Sequence, residues 1–432
     1  MQIIRTNNHR FYYSFYASNP AVLDNNNTNP NFKATTFKPF IIQKSALCLS
    51  ELNEQTKKSL FGKFAQRLNT PNKPVATLAK WVLCLGTASL LSLPVKGFLT
   101  PNMDSTPSSA MSALDGVKQK GEIVIATTKG DSTVFNHGDI QHGFGHDIAD
   151  RYADRLGVSL NLKVYDTEQE ALNAFKAGDV DGLLGESHEG MASVPLACNA
   201  DTAKKVSGYG LNASTSLVFH TKDNSLVQHA KNFLCSPDEL AITGSTARFY
   251  DQTLLANEYS DKHFKRALKQ RLPLYKTAFK NGAKAHNHDW QVLAVISYQE
   301  SHLDPNAISR TGVEGLMMLT QDTAKAMGVK NRTDAVQSIQ GGAKYLEVLE
   351  KLYTDVPDSE RLWFVLASYN MGPNAVKRIQ SELNAKGRDG NSWAEVYGYL
   401  ARNASKNGRY VQCMHYVSNI RAYLESIKTM QV

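Results

Sequence analysis

The sequence contains no Cys-x-x-C pair. Its five cysteines, Cys48, Cys84, Cys198, Cys235 and Cys413, are spaced singly. Zinc-ribbon and thioredoxin-like readings therefore lack support. Cys198 and Cys235 either pair in an oxidising compartment or stand as two separate buried thiols. Past residue 80 there is no excess of either charge, with 37 Lys/Arg against 37 Asp/Glu. The formal charge of +8 therefore resides in residues 1–80, which hold 11 Lys/Arg and 3 Asp/Glu. A nucleic-acid footprint needs a basic face on a fold, so no nucleic-acid partner is expected. No apolar run reaches the roughly 20 residues of an ordinary spanning helix. With 42% hydrophobic and 20% charged residues, the chain is still able to bury a sizeable core, which excludes a wholly disordered or collagenous protein.

Residues 1–80 read as a basic, largely disordered extension, rich in Asn, Thr, Phe and Tyr at its start. Within 81–99, the uncharged stretch WVLCLGTASLLSLPV lies between Lys80 and Lys96. As a helix it spans about 22 Å, short of the ~30 Å hydrocarbon core. It reads as the apolar region of a signal peptide, or as an anchor if Lys80 and Lys96 snorkel. In either case the chain after about residue 100 is exported. Residues 100–118, rich in Pro and Ser, read as a linker.

An α/β pattern follows over 119–258. Strands are expected at Glu122–Thr127, Ser159–Tyr165 and Val180–Leu184, with helices at Gly145–Leu156 and Glu168–Lys176. Strand and helix in alternation imply a parallel sheet. From 259 to 432 the patterns are helical throughout. The fold class is thus multidomain, an α/β lobe followed by an all-α domain.

The chemistry concentrates in the second region. Asp289 caps a helix through Glu300 that is apolar nearly all round. A carboxylate at its C-terminal end is disfavoured as an anion by desolvation and by the helix dipole. Both effects raise its pKa, as a general acid at neutral pH requires. Gly312–Thr320 (GVEGLMMLT) reads as a glycine-bounded turn entering an apolar, helix-like segment, and Trp363–Gly372 (WFVLASYNMG) as a second apolar helix. Three helix ends of this kind suit a groove. Asp304 and Glu314 read as turn or surface residues.

Glu300-Ser301, Gly315-Leu-Met-Met-Leu-Thr320 and Ala367-Ser-Tyr-Asn-Met-Gly372 resemble the three signature motifs of the family 1 lytic transglycosylases. The resemblance covers essentially all of 262–432 and implies a lysozyme-like domain that acts on peptidoglycan glycan strands. It further implies Glu300 as the catalytic acid and base. Substrate contacts would come from Ser301, Met317, Met318, Tyr369, Asn370 and Tyr416. Of the adjacent methionines, Met317 is expected to face the groove. Tyr416 is expected close to Glu300. No metal and no cofactor is implied, and protein partners are unknown. Gly143–Tyr165 and Ser216–Leu254 resemble parts of a solute-binding-protein domain, shortened here to about one periplasmic-binding-protein-like lobe. Membrane association follows from the same resemblance, at the outer membrane, or at the inner one if 81–99 is an uncleaved anchor.

Overall fold

The computed structural model describes residues 111–137 and 140–430, all of which fall within one compact unit. The expected extension (1–80) and the signal or anchor segment (81–99) lie outside the described residues. The expected linker ends earlier than residue 118. Helix α1 (Ala113–Lys120) begins there, because the Ser112 side chain accepts from the Asp115 N–H and caps it.

Five strands form the main sheet: β1 (Glu122–Thr128), β4 (Ser159–Tyr165), β5 (Gly182–Gly185), β6 (Ala192–Pro195) and β7 (Ser216–Phe219). Their order is β4-β1-β5-β7-β6. The first three are parallel, as the alternation predicts, with Ile125 beside Leu162 and Gly182. β7 pairs antiparallel with both β5 and β6, so the sheet is mixed. A hairpin of β2 (Phe135–His137) and β3 (Ile140–His142) stands apart. Helices α2 (Phe144–Leu156), α3 (Glu168–Ala177), α4 (Ala200–Gly208), α5 (Ser225–Leu234) and α6 (Pro237–Phe249) complete the region. Thr167 and Glu170 start α3 with a reciprocal capping box. Cys198 and Cys235 form a disulfide, which resolves the alternative left open by their spacing.

The rest is helical: α7 (Glu258–Gln270), α8 (Leu272–Ala285), α9 (Trp290–Ser301), α10 (Gln321–Met327), α11 (Ala335–Glu350), α12 (Asp358–Met371), α13 (Pro373–Ala385), α14 (Trp393–Arg402) and α15 (Gly408–Thr429). α9 is central, with every residue from Val292 to Tyr298 buried. That all-round burial is what its lack of a polar face predicts. The segment 312–319 departs from expectation. It is a turn with isolated bridges of Glu314 to Ile308 and Leu319, not a helix. Gly315 at φ +88° and Met318 at φ +45° take the chain out of helical space.

The α/β and helical regions share one continuous hydrophobic core. Phe249 of α6 packs edge-on to Trp363 of α12 and Trp393 of α14. Trp363 also meets the His142 ring of β3 at 5.5 Å. Charges bridge the same seam. Arg151 of α2 donates two hydrogen bonds to Glu239 of α6 (3.0 and 2.8 Å) and lies 3.7 Å from Glu395 of α14. Arg388 holds the other side of Glu395. Arg421 of α15 is fully buried, donates to Glu425 and to the Asp251 carbonyl, and lies over the Phe249 and Tyr250 rings.

Candidate active site

Glu300 is the penultimate residue of α9. Asp289 caps that helix at the other end, its carboxylate accepting from the Gln291 N–H as the sequence predicts. Beyond Ser301 the chain reverses through two left-handed residues, His302 (φ 53°) and Leu303 (φ 60°). Leu303 is buried and holds that reversal in place. The turn leaves the Glu300 carboxyl at the end of a packed helix, with 8% of the residue exposed. Tyr416 of α15 donates a hydrogen bond to it at 2.7 Å. Residues 116 positions apart in the chain thus meet where the sequence analysis places them.

Burial pushes the Glu300 carboxyl from its ordinary 4.5 up to about 8, and the Tyr416 bond pulls in the opposite direction without cancelling it. Among the described residues, no other carboxylate perturbs its acidity. Burial also raises Tyr369 and Tyr416 well above the phenolic range, and the nearby Glu300 charge adds to both. At neutral pH the site therefore holds one protonated carboxyl among neutral phenols. Removing the Tyr416 hydroxyl (Tyr416→Phe) should cost up to about tenfold in turnover, the scale of one hydrogen bond between neutral groups. Because that bond favours the carboxylate, its loss should also move the alkaline limb of the pH–rate profile upward.

The floor of the site is the 315–319 turn, held by hydroxyls acting on backbone. Ser301 donates to the carbonyls of Ser297 (3.0 Å) and Leu316 (2.9 Å), and Ser297 also donates to Leu316. The Ser338 hydroxyl accepts from the Met317 N–H, and Tyr369 of α12 donates to the Met317 carbonyl at 2.7 Å. Arg332 donates to the Leu319 carbonyl and pairs with Glu314 at 2.7 Å. A Cβ on Gly315 would run into the Arg332 carbonyl, at a φ that side chains rarely adopt. Gly315→Ala should therefore destabilise the protein by more than about 2 kcal/mol, as read by thermal melting.

Two expectations for the contact residues need correction. Met317 is fully buried and packs against Gly342 of α11, so it belongs to the core. Met318, turned outward by its left-handed backbone, is the partly exposed one of the pair. Ser301 is buried with its proton committed to backbone carbonyls, which makes it a positioning residue. Asn370 is partly exposed, and no hydrogen bond from it to another described residue is seen. Asp304 and Glu314 are turn and surface groups, paired with Arg271 (4.0 Å) and Arg332. Tyr345 escaped the sequence reading. Its ring lies 5.4 Å from that of Tyr369, and only its place one helical turn from buried Gly341 and Gly342 hinted at it.

Residues 277–391 match the Transglycosylase SLT domain. A membrane-bound lytic murein transglycosylase F from Stutzerimonas stutzeri (strain A1501) is 37% identical over 270 residues, covering 59% of this chain and 54% of its own length. The Shewanella halifaxensis (strain HAW-EB4) protein of that name is 44% identical over 181 residues, 39% of this chain and 38% of its own. Among solved structures, the arginine-bound form of domain 1 from TmArgBP covers 28% of this chain and 96% of its own (19% identity, TM-score 0.23). An inactive mutant of lytic transglycosylase Slt from Pseudomonas aeruginosa covers 54% and 36% (16% identity, TM-score 0.30). The chain spans about half the length of the first curated relative. That 270-residue match is longer than the helical region and so extends into the α/β region. The chain thus carries a Transglycosylase SLT domain and resembles, over more than that domain, membrane-bound lytic murein transglycosylase F.

Proposed function

We propose that this protein is a peptidoglycan lytic transglycosylase that cleaves the β-1,4 bond between N-acetylmuramic acid and N-acetylglucosamine. The observation that carries the reading is the Glu300 carboxyl, buried at the end of α9, held protonated by desolvation and hydrogen-bonded by Tyr416, with no other described carboxylate bonded to it. A two-carboxylate glycosidase needs a nucleophile or base about 5–9 Å away. A single carboxyl suffices if the substrate supplies its own nucleophile. Glu300 gives its proton to the glycosidic oxygen as the bond to C1 breaks. The muramyl C6 hydroxyl then attacks C1 and returns its proton to Glu300. No water enters, and the product ends in 1,6-anhydromuramic acid. The sugar's own N-acetyl oxygen is positioned to stabilise the positive charge developing at C1. Tyr416 orients the carboxyl, Tyr369 fixes the groove floor, and Met318 and Asn370 face the sugar.

The same proposal takes 119–258 as a solute-binding-protein-like lobe and 259–432 as the catalytic domain. It places the protein in the periplasm, associated with a membrane. The Cys198–Cys235 disulfide fits an oxidising compartment, and the two relatives are named membrane-bound. Among the described residues no helix is long and apolar enough to cross a membrane; the proposal takes residues 81–99 as a signal peptide or, uncleaved, as an anchor.

The test is digestion of purified peptidoglycan, with the product ends weighed by mass spectrometry. Anhydromuramyl ends support the proposal. Reducing ends, one water heavier, would make the enzyme a lysozyme. Binding without cleavage by a folded protein would leave only a wall-binding module.

A further inference from the structure

The even charge balance past residue 80 conceals a local segregation. Residues 258–285, which form α7 and α8, hold eight Lys/Arg against two Asp/Glu. On α7, Phe264, Ala267 and Leu268 are buried, while Lys262, Arg266 and Lys269 are exposed on the opposite side. On α8, Leu272, Phe279 and Ala283 are buried, while Lys280 and Lys284 are exposed. The two acids do little to neutralise this face: among the described residues, the ion pair within it joins Asp261 to Lys265 alone. Two large apolar side chains, Tyr259 and Leu274, stand 69% and 72% exposed on the same two helices. Basic residues interspersed with an aromatic ring and a leucine match the polar–apolar boundary of a lipid surface.

The direction of this face decides between two anionic partners. α7 meets α9 at Phe264, whose ring lies 4.8 Å from that of Tyr298. Glu300 follows Tyr298 by two residues, about 200° round the helix. The Glu300 carboxyl therefore leaves α9 nearly opposite to the side where Phe264 touches it. Lys262, Arg266 and Lys269 lie opposite Phe264 on α7 and so face away from α9, which suits a broad anionic surface rather than a strand held at Glu300.

We infer that the exposed basic face of α7 and α8 docks on anionic phospholipid headgroups, with the Glu300 groove turned away from the bilayer. This surface is separate from the 81–99 segment and does not depend on the chemistry assigned to Glu300.

Amine-reactive footprinting of the full chain, read by mass spectrometry, tests the inference. The protein is mixed with vesicles of phosphatidylglycerol or of phosphatidylcholine. Lys262, Lys269 and Lys284 should lose at least threefold in reactivity on phosphatidylglycerol alone and regain it in 0.5 M salt. Exposed Lys118, Lys176, Lys204 and Lys325 serve as controls in the same chain and should not change. Equal reactivity of the two sets on phosphatidylglycerol would overturn the inference. So would protection of the α7–α8 lysines by peptidoglycan fragments and not by vesicles, which would make the face a glycan-binding surface.

Discussion

Glu300→Gln should lower glycan cleavage by about 10³-fold or more, within the usual range for loss of a general acid that must also serve as base. The amide keeps the shape of the carboxyl and can still accept from Tyr416, so binding of glycan should survive. The pH dependence follows from the same burial. Wild-type activity should fall as pH rises through about 8, where Glu300 loses its proton. Stability should follow a linked course. The folded protein holds this proton more tightly than the unfolded chain, whose carboxyl titrates near 4.5. The contribution of Glu300 to folding is therefore greatest at low pH and is lost as pH rises from about 4.5 to about 8. Gln carries no charge to desolvate. The variant should melt higher than wild type above pH 8 and close to it at pH 4, an outcome that melting curves at the two pH values check directly. Identical melting at both pH values would remove the case for a buried carboxyl.

Arg421→Ala should cost about 3–5 kcal/mol of stability, the range for breaking one side of a buried ion pair. Arg421 is fully buried, so its loss also leaves a void among Phe249, Tyr250 and α15. Glu425 would lose the neighbour that holds its pKa down against burial. It would then take a proton more readily, so the damage should be smaller at acid pH. Replacing both partners (Arg421→Met with Glu425→Leu) should recover most of the loss, since neither charge is then buried. The wild type should melt in a single calorimetric transition, because Phe249, Trp363 and Trp393 belong to one core that spans both regions. Two separated transitions would contradict that.

Much of the fold was legible from local pattern. The strand at Ser159–Tyr165 alternates in sequence, and Asp289 announces its helix as a cap. The mixed sheet was not legible. β6 and β7 are four residues each, too short for alternation to show, and antiparallel pairing leaves no mark on either strand alone. The shared core was also hidden, because His142 meets Trp363, and Arg421 meets Asp251, only after folding. In the site, the family resemblance pointed to Glu300, Tyr369 and Tyr416, and the fold puts Tyr416 in hydrogen-bond contact with Glu300 and Tyr369 with the Met317 carbonyl. The choice of Met317 over Met318 failed for a definite reason. It assumed helical geometry, whereas Gly315 and Met318 adopt positive φ and exchange the inward and outward positions. The hydroxyls that fix this turn come from Ser297, Ser301, Ser338 and Tyr369, on three different helices.

That last arrangement bears on how such a groove can diversify. The hydroxyl hydrogen bonds that hold the floor end on the backbone atoms of residues 316 and 317. None of them uses a side-chain atom of the next residue. The Met318 side chain is outward-facing and outside that set of bonds, so it is the place where a lineage can alter the exposed surface beside Glu300 without redrawing the scaffold beneath. Variation should accumulate at 318, while 315 and the four hydroxyl-bearing positions stay fixed.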